Sequence, residues 1–181
     1  MKRIAIDMDE VMADTAIDHL ELFNREYGEH VTLEELEGTT LAGIRPLLRN
    51  EIESYFASGQ FFRGLKVIPG SQDVIRELQE HYEVFIATAA MEVPASFRAK
   101  YEWLKEHFAF IPDSHLVFCG NKSIIHADYL LDDSVKQLNR FKGTGILYSA
   151  AHNKFETGFI RVNNWHEVRE LLLGEGAGVR L

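Results

Sequence analysis

The chain has 181 residues, a formal net charge of −9, and 46% hydrophobic and 26% charged side chains. That is room for one sizeable core plus a small insertion, at an ordinary globular composition. The acidic balance excludes a broad basic face for a nucleic-acid polymer, though not a local pocket for a single nucleotide. Cys119 is the only cysteine, which rules out an intramolecular disulfide or a Cys-rich zinc site and suits a small buried apolar residue. No signal-peptide pattern opens the chain, and no apolar run nears the ~18 residues of a membrane span. A cytoplasmic protein with no membrane partner is the expectation.

Ile4-Ala5-Ile6 is a short uninterrupted apolar run, which reads as a buried strand, and it ends at Asp7-Met8-Asp9. Alternation along a strand puts Asp7 and Asp9 on one side of its carboxyl end. At an effective dielectric of ~20, two like charges ~4 Å apart repel by about 4 kcal/mol. A cation between them, a proton held on one acid, or a solvated acidic turn would each resolve that repulsion.

From 15 to 66 the pattern is helical. Ala16, Leu20, Phe23 and Tyr27 fall at i, i+4, i+7 and i+11, with Gly28 as a stop. Thr32 and Glu35 have capping-box spacing, and 44 to 58 reads as a further helix with Pro46 near its start and Ile52, Tyr55 and Phe56 on its apolar face. No strand interrupts this stretch, and it is too long for an ordinary crossover. Residues 15–66 therefore read as an inserted small helical cap, with 1–14 and 67–173 as the core.

Pro69-Gly70-Ser71 opens a helix carrying Val74, Ile75 and Leu78. Strands follow at Val84–Ala87, ending on Thr88, at Leu116–Phe118, at Tyr129–Leu131, ending on Asp132-Asp133, at Ile146–Tyr148, and as an edge at Phe159–Val162. Between them lie a helix with Phe97, Tyr101, Leu104 and Phe108 as its stripe, another over 134–141 and a last over 165–173. Strands alternating with helices predict an α/β fold, a Rossmann-like parallel sheet covered on both faces. The glycine-rich residues 174–181 are expected to be a disordered tail.

Ligands of open parallel sheets sit beyond the carboxyl ends of the strands, where strand order reverses. Asp7, Asp9, Thr88, Asp132 and Asp133 stand at such ends, and Lys122 follows the third strand. Together they suit phosphoryl transfer. Carboxylates from adjacent strands can hold Mg²⁺ with substrate phosphate and water. One aspartate can attack phosphorus, and a second, two residues on, can move the proton of the leaving oxygen and then of water. The lysine, the threonine hydroxyl and nearby backbone N–H groups can hold the phosphate oxygens.

These four ordered segments resemble the signatures of the haloacid dehalogenase superfamily of phosphohydrolases. The closer likeness is to the 5′(3′)-deoxyribonucleotidases, through Asp7-Met8-Asp9 with Val11, Ala13 and Asp14, Phe61-Phe62, and Pro69-Gly70. It continues in the Lys122 segment leading to Ala127-Asp128-Tyr129-Leu130-Leu131-Asp132-Asp133, and in Ala151-His152-Asn153. The resemblance implies strand order 3-2-1-4-5, Asp7 as nucleophile and metal ligand, and Asp9 as general acid/base lending its carbonyl to the metal. It implies Thr88, Ala89 and Lys122 as phosphate ligands, and Asp132 with Asp133 completing the magnesium site. The implied substrate is a small phosphomonoester, a nucleoside monophosphate, with Phe62, Thr15 and Ile44 near it. A homodimer is compatible with this reading and not required by it.

Three departures stand out. Glu10 replaces the family's usual glycine, Thr15 replaces an aromatic with no base-sandwiching cluster in Leu41–Ile44, and Ala89-Ala90 lacks a phosphate-contacting serine. A phosphatase for another phosphomonoester, such as a sugar phosphate, remains open on these grounds, as does a silent binding relative hinted at by Glu10. A phospho-accepting receiver module fits less well, because its lysine would follow the later acids. Phe61 and Phe62 read as packing between cap and core, with Phe62 able to face substrate. His152 reads as a loop residue, and Asp113-Ser114-His115 as a turn, since adjacent residues cannot converge on one atom.

Overall fold

The computed structural model describes residues 1–57 and 59–174. Its strands are β1 (Lys2–Ile6), β2 (Tyr82–Thr88), β3 (Leu116–Phe118), β4 (Tyr129–Asp132), β5 (Thr144–Tyr148) and β6 (Ile160–Val162). They form one sheet in the order β3-β2-β1-β4-β5-β6, every pairing parallel. The expected order is present, and the anticipated edge segment adds a sixth parallel strand.

Burial on both faces explains why the inner strands carry no polar alternation. Ile4 and Ile6 of β1 belong to the main apolar cluster with Val84, Ile86, Leu131, Trp103 and Trp165. Ala5 points the other way, with Ala87, Leu130, Leu147 and Phe141. Two buried indoles also pin loops: Trp165 Nε1 donates to the Val11 carbonyl at 2.8 Å, and Trp103 Nε1 to that of Leu65 at 2.7 Å.

The helices are α1 (Thr15–Tyr27), α2 (Leu41–Ile44), α3 (Arg49–Ala57), α4 (Ser71–Gln79), α5 (Phe97–His107), α6 (Val135–Leu138) and α7 (Trp165–Leu173). Asp14 caps α1 by accepting from the Ile17 N–H at 3.3 Å, and Gly28 ends it at φ 63°. The helix expected over 44–58 is broken into a turn at Pro46–Leu48 and then α3, because proline restricts the residue before it and lacks an N–H. Thr32 N–H donates to Glu35 Oε2 at 2.9 Å, half of the expected capping box, ahead of a single 3-10 turn at Glu34–Leu36. The helix expected over 134–141 is only the four residues of α6.

The buried face of α5 is Ala99, Lys100, Trp103 and Leu104, with Tyr101 exposed. Residues 97, 101, 104 and 108 form the stripe next to it. Leu104 belongs to both, and Phe108 is buried just past the end of the helix. Residues 15–57 build their own apolar cluster from Leu20, Phe23, Val31, Leu36, Leu41, Ala42 and Ile52. Gly174 N–H closes α7 on the Glu170 carbonyl at 3.1 Å; the expected disordered tail otherwise lies outside the described residues.

Candidate active site

Topology places the reversal of strand order between β1 and β4, so the residues leaving those strands are neighbours. Asp7 N–H continues the ladder by donating to the Leu131 carbonyl at 2.9 Å, and Asp132 is the last residue of β4. Carboxylate oxygens of Asp7, Asp132 and Asp133, all buried, lie within 4.8 Å of one another. Lys122 Nζ bridges two of them, at 2.5 Å from Asp7 Oδ1 and 2.6 Å from Asp132 Oδ2, and its side chain is 1% exposed.

Three acids face one ammonium. Burial raises the Asp7 carboxyl to about 7 against the pull of Lys122, with Asp132 and Asp9 adding to the rise. Burial first, then the charges of Asp7 and Asp132, hold Asp133 well above the usual carboxylate range. Burial would lower the Lys122 ammonium, but the two acids outweigh it and the net direction is upward. His152 does not balance the charge, because burial lowers its pKa although its Nε2 lies 3.3 Å from Asp133 Oδ2. An all-oxygen donor set whose buried acids resist ionising together fits a hard divalent cation, which would favour their charged forms.

Each group is held from behind. Gln137 of α6 accepts the Lys122 N–H at 3.0 Å and donates to the Gly120 carbonyl at 3.1 Å. Asn153 Nδ2 donates to the carbonyls of Asp133 and Tyr148, both at 2.9 Å. Lys100 of α5 pairs with Asp9 Oδ2, donates to Thr88 Oγ1 at 3.2 Å, and sits 4.5 Å above the Phe62 ring. Thr88 is fully buried and does not line the cavity; its hydroxyl stands behind Lys100, which does.

Two cavities meet here. The acidic one, about 390 Å³, is lined by Asp7, Asp9, Ala89, Phe62, Lys100, Lys122, Asp132 and Asp133, among others. The second, about 360 Å³, lies between α1, α2 and α3 and is walled by Leu20, Leu36, Leu41, Ala42, Ile52 and His19. Thr15, Phe56 and His152 line both.

Residues 1–176 match the family model described as "5′ nucleotidase, deoxy (Pyrimidine), cytosolic type C protein". The chain belongs to this family. A Staphylococcus epidermidis relative is 46% identical over 168 residues, covering 93% of this chain and 94% of its own. A Bacillus subtilis 5′(3′)-deoxyribonucleotidase is 41% identical over 181 residues, covering 95% and 99%. A HAD family hydrolase from Deinococcus radiodurans R1, with bound phosphate and sodium, shares the fold at a TM-score of 0.59, with 15% identity and 98% and 97% coverage. Membership makes the chain a phosphoric monoester hydrolase of the nucleotidase type.

Against this nucleotidase family, the structure gathers Asp7, Asp9, Ala89, Lys122, Asp132, Asp133, Phe62 and Thr15 at the joined cavities. Thr88 stands one layer back. Ile44 packs against the cluster of residues 15–57, while Leu41 and Ala42 of its helix line the second cavity. His152, expected to be a plain loop residue, lies at the junction because its turn, Ala151–Asn153, folds over Asp133. Lys100 and Gln137 were not anticipated, and Asn153 entered only as part of the resemblance, with no role given to it. A lone lysine sharing a helix face with Trp103 and Leu104 was the one available signal.

Proposed function

We propose that the protein is a magnesium-dependent phosphomonoesterase that dephosphorylates nucleoside monophosphates through an aspartyl-phosphate on Asp7. The observation that carries this reading is the pair of cavities joined at Thr15, Phe56 and His152. A phosphoryl group suits the acidic and lysine-bearing side. A flat, mostly apolar leaving group suits the side walled by Leu20, Leu36, Leu41 and Ile52. Thr39, Thr40, Arg49 and Glu53 on the same lining can meet the hydroxyls and polar edges of a nucleoside.

Asp7, Asp132 and Asp133, with Asp9 beside them, are the residues that would hold the ion. When bound, Mg²⁺ would neutralise the cluster and polarise the phosphoryl oxygens. Asp7 then forms a bond to phosphorus as the bond to the leaving oxygen breaks, and Asp9 supplies that oxygen's proton. Asp9 next takes a proton from water, whose oxygen displaces Asp7 from phosphorus and releases inorganic phosphate. Lys100 keeps the Asp9 carboxyl in place for both transfers, and Lys122 holds a phosphoryl oxygen. Residues 15–66 act as the cap over the leaving group.

The test is phosphate release from nucleoside monophosphates and sugar phosphates, each with Mg²⁺ and with a chelator. At least tenfold preference for a nucleotide, lost on chelation, is expected. Turnover of every nucleotide at background, or a sugar phosphate as the best substrate, would defeat the reading.

A further inference from the structure

Glu10 is the one non-glycine residue with a left-handed backbone among the described residues, at φ 58°. That region disfavours any residue with a Cβ, so surrounding bonds must hold it there. The Glu10 N–H donates to the Ala13 carbonyl at 2.8 Å, and the Met12 and Ala13 N–H groups both return to the Met8 carbonyl at 2.9 Å. Within this closed loop, the Glu10 side chain reaches α1, and its Oε1 accepts from the Ala16 N–H. That N–H is one of the first-turn donors a helix leaves without a partner of its own.

The two ends of the contact matter for different reasons. Glu10 follows Asp9, whose carboxylate faces the acidic cavity. Ala16 lies on the helix that presents Thr15, His19 and Leu20 to the apolar cavity. We propose that Glu10 is a positioning residue: its bond to Ala16 fixes α1, and with it the wall of the leaving-group cavity, relative to Asp7 and Asp9. This rests on the nucleotidase reading above and extends it to Glu10, which lines the leaving-group cavity itself and ties down the helix that forms the rest of that wall. It also gives the side chain a purpose where glycine would relax the backbone but leave α1 untied.

The test compares Glu10→Gly and Glu10→Gln with the unaltered enzyme, using nucleoside monophosphates and p-nitrophenyl phosphate with Mg²⁺. Glu10→Gly is expected to raise the nucleotide KM about tenfold while kcat falls by less, since small misplacements of a bound group cost this much or more. The ratio of nucleotide to p-nitrophenyl phosphate kcat/KM should fall by the same factor, because the latter brings no nucleoside to the cavity. Its thermal midpoint should stay within about 3 °C, as relief of the left-handed strain offsets the lost bond. Glu10→Gln keeps an oxygen for the Ala16 N–H and should return the nucleotide KM to within twofold. A glycine variant with an unchanged KM, or a glutamine variant as impaired as glycine, would overturn the proposal. Nucleotide turnover at background in the unaltered enzyme would instead defeat the nucleotidase reading, and this inference with it.

Discussion

The two joined cavities are built by opposite means. The acidic one stands at the ends of β1, β2 and β4, and its charged side chains are backed by Lys100, Gln137 and Asn153, all nearly inaccessible. The apolar one is enclosed by three helices of 13, 4 and 9 residues whose packing cluster is separate from the main core. Moving a phosphoryl group demands atoms fixed to a fraction of an ångström, which a parallel sheet supplies. Choosing a leaving group demands a shape, which short helices can provide and vary without disturbing the sheet.

Substitutions on the acidic side should therefore have the larger effects. Asp7→Asn is expected to lower kcat by about 10⁴-fold or more while the protein stays folded, measured by phosphate release and near-ultraviolet circular dichroism. A residual rate within a hundredfold of the unaltered enzyme would remove Asp7 as nucleophile. Lys122→Met comes next, at about 10²–10³-fold in kcat/KM. It also strips the ammonium from between Asp7 and Asp132, so urea unfolding in chelator should show a loss of about 3–5 kcal/mol. Mg²⁺ should restore part of that stability, because a ligand of the folded state stabilises it by mass action. Equal losses with and without Mg²⁺ would mean that the three acids are not the ion's site.

The same contrast explains what could be read in the sequence. Asp7, Asp9, Asp132 and Lys122 declared themselves because a parallel sheet brings strand ends together, so four short segments fix one another's positions. The residues behind them carry no such signal. Lys100 meets Asp9 across 91 positions of sequence, and Asn153 meets Asp133 across 20; each is one polar residue in otherwise plain surroundings. Glu10 was visible as a departure, but its bond to Ala16 was not. In the helical stretch, Pro46 split a helix that periodicity had joined. Much of the apolar cavity is leucine, isoleucine, alanine and threonine, types that look the same lining a pocket as filling a core. Thr15 was legible only through resemblance, and the junction it forms with Phe56 and His152 emerged from the fold.

On the apolar side the effects should be smaller and selective. Phe56→Ala widens the junction, and is expected to raise the nucleotide KM about tenfold with a lesser effect on p-nitrophenyl phosphate. A uniform fall for both substrates would mean that Phe56 supports the fold rather than the leaving group.

The smallest effect belongs to His19, whose ring meets Tyr55, Phe56 and Phe61 edge-on and whose Nε2 is buried without a hydrogen-bond partner. Burial lowers its pKa, opposed in part by the Ile52 carbonyl, so the folded protein keeps the ring neutral where the unfolded chain would charge it. The unfolded chain takes up this proton near pH 6.5. His19 therefore favours folding fully above that pH, less as the pH falls below it, and no further once the folded ring also charges. Asp7 works in the opposite direction, because its raised pKa lets the folded state bind a proton first as the pH drops. The two must be separated by difference. Urea midpoints at pH 7.5, 6.5 and 5.5 should fall more steeply for the unaltered protein than for His19→Phe, which keeps the ring packing and loses the proton. Parallel lines would mean that the aromatic cluster opens enough in solution to hydrate the imidazole, and that this side of the molecule is looser than its packing suggests.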